Sequence, residues 1–295
     1  MDYIKTDKYR VVESVKISEV PTYEDFGKSE KRLKKDLSKI RRELGEFQDT
    51  LYAHNKYSVL ICLQGMDTAG KDSLIREVFK DFNVRGVQVH SFKVPTELEL
   101  DHNYLWRHYL ALPAKGKFGV FNRTHYENVL VTRVHPEYIL NERIPGIHQV
   151  DDIDQKFWDK RFEQINNFER HLHENGTIIF KFFLHLSKEE QRQRLLRRLA
   201  VKEKHWKFSP GDLKERELWG QYRTCYEEAI NNTTKEHAPW YVVPADSKKA
   251  ARVIVASILL KRLKKYKDIK EPMLEDEILA NLVDYENQLQ TEKND

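Results

Sequence analysis

The feature that most constrains the fold is the stretch from residue 57 to about residue 81. An apolar run with β-branched members, 57–64 (YSVLICLQ), passes through 65–71 (GMDTAGK) into a segment whose Leu74, Ile75, Val78 and Phe79 recur at helical spacing. A strand that is apolar at successive positions is buried on both faces, so helices must lie above and below it and its neighbours should run parallel. The spacing of Gly65, Gly70 and Lys71 fits GxxxxGK. Glycines let the backbone turn tightly enough for successive N–H groups to point at phosphate oxygens. The helix that follows adds the partial positive charge of its first turn, and Lys71 supplies a mobile ammonium. The stretch predicts a phosphate-binding P-loop; the plainer alternative is a strand-to-helix turn with no ligand.

The rest of the chain repeats the alternation. Strands are predicted at 87–92, 118–121, 177–186 and 240–244. Helices are predicted at 100–111, 151–174, 188–200 and 247–266, with a further start at Ser209-Pro210. Ser187 and Glu190 make a capping box. Ahead of the first strand, residues 1–28 read as an extended arm and 29–56 as one amphipathic helix carried by Leu33, Leu37, Ile40, Leu44, Phe47 and Leu51. The organisation expected is an α/β three-layer sandwich with a mostly parallel sheet over 57–268, a lid at about 192–222, and an acidic tail or helix over 269–295. In such sheets ligands bind beyond the carboxyl ends of the strands.

Composition narrows the partners. A net charge of +4 over 295 residues is too small for a dedicated nucleic-acid coat. Cys62 and Cys225 form no CxxC pair and no disulfide framework, and Cys62 reads as a small buried hydrophobe. Residues 1–8 lack the apolar core of a signal peptide, and no run approaches the ~18 apolar residues of a membrane span. A cytoplasmic protein with neither nucleic acid nor membrane as partner is expected.

The loop carries two carboxylates. Asp67 lies inside it, and Asp72 stands where P-loop proteins place the hydroxyl that holds magnesium, with Ser73 one place late. A carboxylate beside bound phosphate is repelled unless a cation intervenes, so Asp67 and Asp72 are candidate Mg²⁺ ligands, with Mn²⁺ the alternative ion. Helix capping is the other reading of Asp72. After the third strand, 121–127 (FNRTHYE) puts Asn122 where a metal-binding Asp is ordinary; Glu127 is the nearest carboxylate and the third candidate ligand. Arg123 and Arg133 flank it and suit bidentate contact with phosphate. His125 reads as a packed residue. Arg192, Arg194, Arg197 and Arg198, followed by Lys202, Lys204, His205 and Lys207, are either a solvated face or an arginine-rich lid that excludes water during transfer. Lys93, Arg107, Lys115 and Lys117 are candidates for a polyanion track.

Three segments, 65–73 (GMDTAGKDS), 92–135 and 204–219 (KHWKFSPGDLKERELW), together resemble the family-2 polyphosphate kinases, and the similarity covers most of 30–265. The resemblance implies a P-loop kinase fold related to thymidylate kinase with a helical lid. It also implies Mg²⁺-dependent phosphorylation of adenine or guanine nucleotides from inorganic polyphosphate, and a homodimer or homotetramer. By position, Asp67 and Lys71 resemble the family's essential loop acid and lysine, Arg123 and Arg133 its phosphate-binding arginines, and Arg194, Arg197 and Arg198 its lid. The Glu127 variant resembles the subclass that accepts both mono- and diphosphates; Asn122, an Asp in many members, leaves the second metal carboxylate open. The reaction expected is reversible in-line transfer to AMP or ADP, with no general base required because the attacking phosphate oxygen is already ionised. Two rivals remain at this level: an ATP-dependent nucleoside monophosphate kinase, and a non-catalytic module binding RNA or polyphosphate.

Overall fold

A computed structural model describes residues 3–292, apart from the side chain of Lys207; the extreme ends of the arm (1–2) and tail (293–295) lie outside the described residues. Five strands, β1 (Ser58–Gly65), β2 (Val87–Ser91), β3 (Phe118–Asn122), β4 (Thr177–His185) and β5 (Trp240–Pro244), form a sheet in the order β2-β3-β1-β4-β5. All four neighbouring pairs are parallel. In chain order the helices are α1 (Glu30–His54), α2 (Lys71–Val78), α3 (Glu97–Leu100), α4 (Trp106–Leu110), α5 (Val131–Val134), α6 (Gln155–Glu174), α7 (Lys188–Ala200), α8 (Gly211–Glu217), α9 (Trp219–Thr233), α10 (Lys248–Leu263), α11 (Asp276–Ala280) and α12 (Leu282–Thr291).

Every residue of β1 and β4 is buried, as their unbroken apolar runs require. Alternate side chains serve opposite layers. Val59, Ile61 and Leu63 join Phe180 and Phe182 in a core with Ile40 and Leu44 of α1 and Ile254 of α10. Leu60, Cys62 and Ile179 point the other way, onto Phe168 and Leu172 of α6. Ile40 and Leu44 are completely buried, and each such side chain stabilises the fold by roughly 1.5–3 kcal/mol. Ser29 caps α1 by accepting the Arg32 N–H, and Asn55 ends it in the left-handed conformation.

Some boundaries differ from expectation, for local reasons. The helix expected at 100–111 is split. Thr96 and Glu99 close a capping box on α3, and the Asn103 carboxamide then takes the Leu105 N–H ahead of α4. The helix expected from 151 begins at Gln155, because Asp154 accepts the Phe157 N–H. The arm is part of the body: Tyr9, Val11 and Ile17 are buried, and an antiparallel bridge from Arg10 to Tyr241 covers the outer edge of β5. The tail forms two exposed helices, α11 and α12.

The register aligns the strand ends. Gly65 pairs with Leu184, Leu63 and Ser91 both with Asn122, and His185 with Pro244. The loops after β1, β3, β4 and β5 therefore leave the sheet along one edge.

Candidate active site

The loop after β1 has the shape its glycines require. A Cβ on Gly65 would lie 2.9 Å from the Leu184 carbonyl oxygen, and Gly70 starts α2 at φ +104. Thr68 takes φ +65 without being glycine, a conformation that survives only where its surroundings enforce it. Lys71, the first residue of α2, folds back so that Nζ donates to the Gly65 carbonyl at 2.6 Å. Burial lowers its pKa, and Asp67 opposes that shift. Lys71 lines a cleft of about 1330 Å³ together with Asp67, Asp72, Ser73, Asn122 and Arg123.

Asp67 faces Arg123, Oδ1 to Nη2 at 3.3 Å, with both side chains partly exposed. Arg123 itself has φ +58 directly after β3, a second strained residue at the same edge. Asp72 accepts a hydrogen bond from Asn122 Nδ2 at 2.8 Å. Its side chain caps nothing: Gly70 is the cap residue of α2 and no side-chain cap bond is made. Glu127 accepts from Gln64 at 3.0 Å and bears electrostatically on Lys71 and Arg123, but it is not part of the cleft lining. Among the described residues no three acidic, histidine or cysteine side chains converge on a metal position. The expected trio Asp67, Asp72 and Glu127 is therefore not one cluster. Magnesium, however, takes one or two carboxylates and fills its remaining positions with water and substrate phosphate. Asp67 and Asp72 would supply the carboxylates, and the Oδ1 of Asn122, whose Nδ2 bonds Asp72, is buried with no partner. This all-oxygen set fits such an ion.

The arginines of α7 divide by role. Arg194 is almost fully buried and spends its guanidinium on protein: Nη1 donates to the Thr68 and Ala69 carbonyls at 2.9 and 3.1 Å, Nη2 to those of Ala245 and Asp246 at 2.7 and 2.9 Å, and Nε to Glu190 at 2.8 Å. It ties the P-loop to the turn between β5 and α10. Arg197 is exposed and lines the cleft, as does Arg198, which meets Asp212 of α8 at 3.0 Å. Arg192 pairs outside with Glu189. The cleft also holds Lys204 and Trp206 from the lid segment, and Lys248 and Lys249 from the first turn of α10. Sequence reading passed over these last two lysines, although they follow a strand at its carboxyl end, where ligands of such sheets bind.

Other candidates are elsewhere. Arg133 pairs with Glu228 and packs over Trp158 and Phe162, outside the cleft lining. The four-residue track does not assemble. Lys115 and Lys117 precede β3, at the opposite sheet edge, where Lys115 donates to the Asn175 carbonyl. Arg107 is held by Glu99 and the Lys93 carbonyl and stacks on Phe92. His125 is packed, as expected, within a buried network. Its Nε2 meets Glu169 at 3.1 Å, and Glu169 also takes the Tyr126 hydroxyl at 2.7 Å and Lys181 Nζ at 2.6 Å.

A parallel sheet covered by helices on both faces, whose first strand ends in a lysine-bearing glycine turn leading into a helix, defines the P-loop kinase class of phosphotransferases. Residues 27–271 match the family described as Polyphosphate kinase 2 (PPK2), and the chain belongs to that family. It is 45% identical to an ADP-polyphosphate phosphotransferase of Rhodopseudomonas palustris over 90% of this chain and 91% of that one. It is 47% identical to an AMP/ADP-polyphosphate phosphotransferase of Meiothermus ruber over 77% and 79%. The crystal structure of polyphosphate kinase 2 from Arthrobacter aurescens superposes with a TM-score of 0.86 at 35% identity, covering 95% of this chain and 96% of that one. The chain is accordingly an enzyme, a polyphosphate-driven nucleotide kinase, and the non-catalytic alternative falls away.

Proposed function

We propose that the cleft carries out in-line phosphoryl transfer between polyphosphate and AMP or ADP, dependent on magnesium. The observation that carries this reading is the place of Lys71, its ammonium folded back to 2.6 Å from the Gly65 carbonyl, in the lining of a cleft shared with the Asp67–Arg123 pair. Backbone N–H groups of the loop and the first turn of α2 bind the transferring phosphoryl group, and Lys71 follows its charge as it moves. Arg123, held in its strained turn, presents a fork to the equatorial oxygens from the far side. Arg197 and Arg198 close from α7, where they neutralise charge and exclude water that would divert the phosphoryl group to hydrolysis. Asp67 and Asp72 would hold the magnesium ion, which would supply positive charge to offset that of the phosphate oxygens.

Names of relatives support both acceptor classes: the Rhodopseudomonas protein is named for ADP and the Meiothermus protein for AMP and ADP. The turn after β3 that carries Arg123 is the acceptor side in this reading. Purified protein incubated with magnesium, polyphosphate and either AMP or ADP, without ATP, should yield ADP and ATP on nucleotide analysis. Product formed only when a nucleoside triphosphate is supplied would move the donor role from the inorganic polymer to ATP.

A further inference from the structure

Three successive carbonyls of the P-loop turn towards α7, where two side chains one turn apart take them. Arg194 takes those of Thr68 and Ala69, and Gln191 Nε2 donates to that of Asp67 at 3.1 Å. Gln191 is almost fully buried and is not part of the cleft lining. The other end of its amide is also occupied. Oε1 accepts from Arg216 Nη1 of α8 at 2.6 Å, and the same Nη1 reaches the Lys188 carbonyl at 2.8 Å. A carbonyl on one side and a guanidinium on the other allow only that orientation of the carboxamide. One buried amide therefore spans from the lid segment to the loop.

The direction of the Asp67 carbonyl matters because of the group that follows it. Across a planar trans peptide the next N–H points the opposite way, so the bond from Gln191 turns the Thr68 N–H away from α7. Among the described residues no backbone carbonyl takes that N–H. Thr68 has φ +65, a conformation that its surroundings must enforce. From these contacts we infer that Gln191 is a positioning residue for phosphoryl transfer. It holds the Asp67–Thr68 peptide with its N–H available to a phosphate oxygen, and through Arg216 it makes that orientation depend on α8 standing in place. Without Arg216 the carboxamide is free to rotate, and its grip on the loop weakens. Asp67 also carries the carboxylate that meets Arg123 at 3.3 Å, so a turned peptide disturbs both sides of the cleft.

The inference rests on the function proposed above, and its test separates the two. Gln191→Met keeps the length of the side chain and removes both hydrogen bonds. Where circular dichroism shows the variant fully folded, kcat with polyphosphate should fall about tenfold or more, the effect of a misplaced oxyanion donor. The KM for AMP and ADP should stay within about twofold. Calorimetric binding of inorganic tripolyphosphate without nucleotide should weaken about tenfold. Arg216→Met should lower kcat about threefold in the wild-type background and leave it unchanged in Gln191→Met, since one chain of contacts is broken either way. Wild-type kcat and tripolyphosphate affinity in folded Gln191→Met overturn the assignment. Equal losses from Arg216→Met in both backgrounds overturn the link to α8. Wild-type protein that transfers nothing from polyphosphate overturns the functional reading, and tripolyphosphate binding then decides the role of Gln191 alone.

Discussion

Asn122 donates its carboxamide N–H to the Asp72 carboxylate at 2.8 Å, across the gap between the end of β3 and the first turn of α2. The bond orients an acid that would otherwise turn into solvent, and it leaves Asn122 Oδ1 buried and unpartnered beside the cleft. An amide therefore does part of what a second acid does in a site with two carboxylates. It fixes a carboxylate oxygen at the cleft without adding charge.

Asp72→Asn preserves that shape and removes the charge. The magnesium concentration for half-maximal rate should rise about tenfold, as one carboxylate contact is lost. Thermal stability should change little, since a first-turn acid contributes about 0.3–1 kcal/mol. The reverse experiment is Asn122→Asp, which puts two carboxylates in contact, so that one of them holds its proton or a cation comes between. Magnesium should then raise the unfolding temperature of Asn122→Asp more than that of the wild type. A magnesium titration followed by both rate and melting curve decides the assignment, and equal responses in all three proteins would reject it.

Arg194 and Arg197 lie one turn apart on α7 and should fail differently. Arg194→Ala strands the carbonyls of Thr68, Ala69, Ala245 and Asp246. The expected loss is about 2–4 kcal/mol of stability, read from denaturant unfolding. Arg197→Ala removes an exposed cation, so stability should hold while kcat/KM falls by about tenfold to a hundredfold. If both substitutions cost activity alone, Arg194 contacts substrate and the strap assigned to it is wrong.

The sequence was most readable where local pattern and chemistry coincide. The runs of β1 and β4, the GxxxxGK turn and the heptad-like spacing of α1 each allow one structural solution, so the parallel sheet and the place of Lys71 followed from them. Charged residues were less readable, because their role depends on what lies across the cleft. Arg194, Arg197 and Arg198 look alike in sequence, yet one is consumed by backbone carbonyls and another meets Asp212. Lys115 and Lys117 sit at the start of β3, and the direction of the strand alone removes them from the ligand edge. Nothing local marks Glu169 and Lys181 as partners; α6 and β4 must fold together before they meet.

That buried pair offers the last prediction. Lys181 Nζ reaches Glu169 at 2.6 Å, the Tyr126 hydroxyl at 2.9 Å and the Thr233 carbonyl at 2.7 Å, with neither charged side chain exposed. Tyr126 and His125, which also bond to Glu169, belong to the turn that leads from Arg123 to Glu127. Glu169→Ala leaves an ammonium in the interior without its counter-charge and should cost about 3–5 kcal/mol in denaturant unfolding. Glu169→Gln keeps an acceptor for Tyr126 and should cost less. Glu189→Gln, which breaks the exposed pair with Arg192, should shift nothing measurable. Because the network fixes the turn below Arg123, Glu169→Gln should also lower kcat at temperatures where the variant is fully folded. A destabilised variant with wild-type kcat under those conditions would confine the network to holding the fold together.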